Sequence, residues 1–175
     1  MTPVLSLRTL TLLTLSLLLG ATCLSAARAD SGRMMPANPP AAYAQECAAC
    51  HTAYPPGLLP AASWQRIMNG LDKHYGTDAS LDPAAVRQIS TWLQAQAGTY
   101  KRVTQTPPPQ DRITRSAWFE RKHREDDPQV WKHASVKTPA NCVACHTGAD
   151  RGDFDDDHLR FPAGLDARYR RAWND

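Results

Sequence analysis

Two short stretches of this sequence carry the same residue types at the same spacing: Cys47-Ala48-Ala49-Cys50-His51 and Cys142-Val143-Ala144-Cys145-His146. In each, two thiols three positions apart are followed at once by an imidazole. That is the pattern by which the two vinyl groups of a porphyrin are captured as thioethers while the adjacent His reaches the iron as proximal ligand. The chain has five cysteines, and the fifth, Cys23, lies in an N-terminal segment that reads as cleaved, so every remaining cysteine is used. Three other chemistries compete. A redox-active C-x-x-C opens a helix after a strand, and no strand pattern precedes either pair. A four-cysteine zinc site would leave both adjoining histidines as coincidence and suits an oxidising compartment poorly. A disulfide within each C-x-x-C is geometrically awkward and would staple very little chain. The expectation is two covalently bound haem c groups, on Cys47 and Cys50 and on Cys142 and Cys145, with His51 and His146 on the irons.

The sixth ligand decides what such irons do. An iron held on both faces exchanges electrons with little rearrangement, whereas an open face binds or activates a small molecule. Four histidines remain, His74, His123, His133 and His158, with Met34, Met35 and Met68 as sulfur alternatives. His74 stands 23 positions after His51, far enough to cross to the opposite face of a haem. It is favoured over Met68, which lies on an apolar stripe and is more simply a core residue. The competing reading of His74 is an exposed side chain at a helix end. For the second iron His123 is preferred, with His133 as the fallback and His158 behind it. His123 is flanked by Arg121, Lys122 and Arg124, so it also fits a solvated charged stretch.

The elements that must position these groups are helical. Trp64, Ile67, Met68 and Leu71 fall at i, i+3, i+4 and i+7, which predicts a helix ending near His74-Tyr75-Gly76. Asp82 as N-cap, Pro83 at the first position, Val86, Ile89, Leu93 and Ala97 on one side and Gly98 at the end mark a second helix. The run Thr106 to Gln110 holds three prolines and cannot continue a helix, which predicts a stiff connector and a domain boundary. The expected organisation is a flexible leader over 30–42, a haem domain over 43–105, a linker over 106–110, a smaller loop-rich haem domain over 111–165 and a basic tail over 166–175. The second half has few apolar side chains, so a porphyrin would supply part of its core. Trp64, Trp92, Trp118, Phe119 and Trp131 are candidates to pack on one.

Residues 1–29 have a cation at Arg8, an apolar run from Leu10 to Leu19 and a small-residue end at Ala27-Arg28-Ala29. That order predicts a cleaved secretory signal and a periplasmic protein. The alternative, a retained anchor, needs a longer apolar stretch. Cleavage removes two of the 20 basic residues and none of the 17 acidic ones, leaving 18 against 17. No sustained basic face with interleaved aromatics suggests a nucleic-acid partner, and the acidic run Asp153 to Asp157 reads as solvated surface.

At this point the chain resembles the small bacterial dihaem cytochromes c. The resemblance spans about Tyr43 to Pro162. It rests on Cys47 to His51, Leu71-Asp72-Lys73-His74-Tyr75-Gly76 with Ala79-Ser80-Leu81, Ile113-Thr114, Trp118-Phe119, Lys122-His123, Pro139-Ala140-Asn141-Cys142 to His146, and Gly152-Asp153-Phe154. It implies a mainly α protein with a class I cytochrome c-like N-terminal domain, acting as an exported electron carrier. It also implies two histidines per iron, His51 with His74 and His146 with His123. The spare His133 departs from that pattern. The resemblance suggests a redox partner in respiration, either a membrane cytochrome b or a soluble haem protein. Two rival functions stand beside the carrier: a small haem reductase or peroxidase with an open second site, and a haem-based sensor. Bis-histidine irons lack the thioether sulfur that raises potential, so low potentials are expected.

Overall fold

The computed structural model describes residues 33–100, 103 and 105–169. The expected signal segment, 1–29, and most of the expected basic tail lie outside the described residues. The described residues form four α-helices, α1 Ala41–Cys47, α2 Ala61–Asn69, α3 Pro83–Gln96 and α4 Ala117–Lys122, with eight short 3-10 turns between and after them. Among the described residues there is no β-strand, only two isolated bridges, His74 with Thr77 and His146 with Leu159. No described helix is long and apolar enough to cross a membrane.

The best-marked helix forms as its sequence dictates. Asp82 Oδ1 accepts from the backbone N–H of Ala84 at 2.8 Å and of Ala85 at 3.0 Å, satisfying two of the amides a helix start leaves over. Ile89 and Leu93 face inward and are buried. Gly98, at φ +62°, turns the chain where a side chain would be strained, and its N–H donates to Leu59 O at 2.8 Å. The Trp64 helix ends earlier than expected. α2 stops at Asn69, before Gly70, and Leu71–Lys73 form a separate 3-10 turn that delivers His74. Glycine costs about 1 kcal/mol in a helix interior, and here it releases the chain one turn early.

Trp64, Met68, Ile89, Leu93, Tyr43 and Leu59 form the main core, between α1, α2 and α3. A second cluster joins the two halves of the chain: Leu58 from the first packs with Trp118 and Phe119 of α4, flanked by Tyr100, Val103 and Trp131. A third gathers Val130, Val136 and Leu165. The second half therefore borrows apolar surface from the first.

The flexible leader over 30–42 is corrected from Arg33 onward. Met35 is buried in the main core, Met34 packs against the second cluster, and α1 begins inside the expected leader at Ala41. The Met34 N–H donates to Gly152 O at 2.8 Å, pinning this segment across the C-terminal half. Two apolar side chains that can be buried outweigh the Pro/Ala composition on which the leader was read. The 106–110 connector is also docked rather than free. Asp111, just beyond it, takes a bidentate pair from Arg66 at 2.6 and 2.8 Å, and Tyr75 Oη donates to Gln110 O and Asp111 O at 3.1 Å.

Candidate haem sites

α1 ends on Cys47, so the first thiol is fixed by a helix while Cys50 and His51 follow in the turn beyond it. His51 Nδ1 lies 2.7 Å from Thr52 O. A carbonyl only accepts, so Nδ1 carries the proton and Nε2 is left with a free lone pair. His74 arrives from the other side. Its position is set by the Leu71–Lys73 turn, by the Ala79 N–H donating to Leu71 O at 2.8 Å, and by a reversal through Tyr75 and Gly76, both at positive φ. The rings of His51 and His74 have centroids 6.1 Å apart and planes 20° apart.

The second site is built the same way from different elements. Cys142–Ala144 form a 3-10 turn, and the His146 N–H donates back to Cys142 O at 2.8 Å. The strand-like pairing of His146 with Leu159, with the Arg160 N–H on Cys145 O at 2.9 Å, holds this loop against the C-terminal segment. His123 comes from the end of α4, a helix capped by Ser116. Its Nδ1 is 2.9 Å from Phe119 O, which again leaves Nε2 as the free ligand nitrogen. Phe119 stacks on the His123 ring at 4.0 Å and Trp131 meets it edge-on at 5.7 Å. His123 and His146 have centroids 6.3 Å apart and planes 74° apart.

These separations have a direct chemical meaning. Two imidazoles held to one metal through Nε2, with bonds of about 2.0–2.1 Å, place their centroids roughly 6.2–6.4 Å apart. The His123–His146 pair, at 6.3 Å, falls within that span and the His51–His74 pair, at 6.1 Å, comes just under it, and each contains the histidine of one C-x-x-C-H. Burial, then the neighbouring His51 and Arg112, lowers the basicity of His74. Burial and His123 push His146 down to about 4. Both effects favour the neutral imidazole that binds metal.

Other observations fit a porphyrin at each pair. The four cysteines of the described residues are unbridged, and burial raises the thiols of Cys47, Cys142 and Cys145 to about 11. Trp118 Nε1 and His146 Nδ1 are buried with no hydrogen-bond partner among the described residues, an arrangement that folded chains tolerate when a bound group or water supplies one.

The fold brings His74 to His51 and His123 to His146, not the remaining candidates. His133 Nδ1 is 2.7 Å from Ser135 Oγ, and His158 Nδ1 is 2.7 Å from Asp153 Oδ2. Met68 and Met35 are core side chains. Of the expected aromatics, Phe119 and Trp131 stand against His123, whereas Trp64 donates to Pro56 O and Trp92 packs on Tyr43. Two aromatics without an assigned role also reach the sites. Tyr54 stacks on His51 at 5.0 Å and Phe154 packs on His146 at 5.4 Å. Tyr54 lies only three positions beyond His51, the one hint of its place that the sequence carries.

A comparison with curated protein sequences returned no match. The family model described as dihaem cytochrome c matches residues 43–154. A diheme cytochrome c from Rhodobacter sphaeroides is 41% identical over 69% of this chain and 98% of its own, with a TM-score of 0.59. A diheme cytochrome of type c from Shewanella baltica OS155 is 35% identical over 70% of this chain and 93% of its own, with a TM-score of 0.61. Together with two C-x-x-C-H loops that each face a second histidine, these matches place the chain in the dihaem cytochrome c family, whose members carry two covalently bound c-type haems and transfer electrons.

Proposed function

We propose that this protein is a periplasmic electron carrier whose two haems are each ligated by two histidines, His51 with His74 and His123 with His146. The observation that carries this reading is the pair of imidazole–imidazole separations, 6.1 and 6.3 Å, each close to the span of one six-coordinate metal. Bound haem supplies a one-electron Fe(III)/Fe(II) couple. The residues do the rest. The Cys47–Cys50 and Cys142–Cys145 pairs tether, His51 and His146 anchor, and His74 and His123 close the opposite faces so that no substrate position is left. Thr52 O and Phe119 O hold two of the four rings in the tautomer that presents Nε2. The fitting partner is another redox protein, a membrane cytochrome b or a soluble haem protein. The N-terminal order of cation, apolar run and small residues supports export.

This reading opposes a reductase or peroxidase with an open second site. Ferric protein mixed with cyanide at neutral pH should keep its absorption spectrum, because a protein ligand occupies each position that cyanide would take. His74→Ala should keep both covalent haems, turn one high-spin and bind cyanide at once. Immediate cyanide binding by the unaltered protein would contradict the proposal.

A further inference from the structure

We propose that Tyr54 is the electronic link between the two haem sites. This inference rests on the bis-histidine carrier reading and adds a residue to it. The Tyr54 ring lies face to face with His51, centroids 5.0 Å and planes 22° apart. Its hydroxyl donates to Ala140 O at 2.8 Å, across 86 positions of sequence. Ala140 is two residues before Cys142, and the same carbonyl lies 3.7 Å from Cys142 Sγ. One aromatic stack, one hydrogen bond and two peptide units therefore connect the proximal ligand of the first site with the attachment thiol of the second.

The link is rigid at both ends. Tyr54 O accepts a hydrogen bond from Tyr43 Oη, and Tyr43 is itself buried against Trp92. Pro55 and Pro56, both buried, fix the backbone immediately after Tyr54. Arg66 and Tyr75 also tie the halves together by side-chain hydrogen bonds, and these end on Gln110 and Asp111 rather than on an attachment loop. In the transfer itself one electron leaves a ferrous iron at one site and reduces a ferric iron at the other. No bond breaks, and Tyr54 is neither oxidised nor deprotonated.

The test is the rate of electron exchange within the half-reduced holoprotein, read by two-dimensional exchange NMR between haem methyl resonances. Tyr54→Phe keeps the ring and removes the hydrogen bond. It should retain two low-spin haems and exchange several-fold more slowly. Arg66→Gln, which breaks a tie between the halves that ends on Asp111 and not on an attachment loop, should exchange at the unaltered rate. If Tyr54→Phe does not load both haems, Tyr54→Met, flexible enough to fill the space without a donor, takes its place with the same expected slowing. An unchanged rate in a Tyr54 variant with both haems low-spin would overturn the link and leave the carrier reading standing, since exchange would then run directly between the haems. A slowing shared equally by Arg66→Gln would also overturn it, as a structural effect. High-spin iron in the unaltered protein would instead remove the carrier reading.

Discussion

At the scale of single residues, the sites are set by which second histidine the fold brings to a C-x-x-C-H histidine. In His51 and His123 a backbone carbonyl engages Nδ1, and the lone pair that remains is on Nε2. His133 and His158 have equally suitable imidazoles, with Nδ1 engaged by Ser135 and Asp153, but the rings that meet His51 and His146 are those of His74 and His123. The sequence alone ordered His123, His133 and His158 by position, and local spacing could not separate them, because the choice depends on a fold contact with His146. The comparison is direct by substitution. His123→Ala should convert the second haem to a high-spin form while two haems remain covalently bound. His133→Ala should leave the absorption spectrum as it is. A high-spin haem in His133→Ala, with His123→Ala unaltered, would reverse the assignment.

At the scale of elements, what was legible in the sequence is what is locally encoded. The α3 helix could be read from Asp82 to Gly98 because its cap, its apolar face and its stop are all in consecutive residues. The seven-residue α1 gave no such pattern, since only Tyr43 of it is buried. The thiol and proximal-histidine positions were plain for a chemical reason: covalent attachment fixes spacing whatever the surrounding fold does. The docked N-terminal segment was not legible, because its partner, Gly152, lies well over a hundred positions away. Gly152 has φ +74°, and a β-carbon there would press on Met35 Cβ and come within 2.6 Å of Met35 N. Gly152→Ala therefore meets both a left-handed backbone and a backbone contact that cannot yield. It should lower stability by more than about 1 kcal/mol and expose the segment around Met35 to proteolysis. Denaturant unfolding measures the first effect, and an unaltered midpoint would show that the segment is not held by this contact.

At the scale of the whole molecule, the two halves of the chain are tied together at several points. Leu58, Trp118 and Phe119 share one apolar cluster, Arg66 clamps Asp111, and Tyr54 reaches Ala140. Prolines at 107–109 restrict the backbone, but they carry no information about what the flanking residues touch, so these ties were not legible in the sequence. The two haem sites also differ in a way that only three dimensions supply. The ring planes of His51 and His74 are 20° apart, whereas those of His123 and His146 are 74° apart. Near-parallel imidazoles split the iron d orbitals that they face, and near-perpendicular ones leave them close in energy, so the two ferric irons must differ magnetically. Electron paramagnetic resonance of the oxidised protein, alongside a count of covalent haems, tests bis-histidine ligation most directly. Two haems per chain and two low-spin signals are expected, one rhombic and one highly anisotropic, with no axial high-spin component. A high-spin signal of one haem per chain would contradict it.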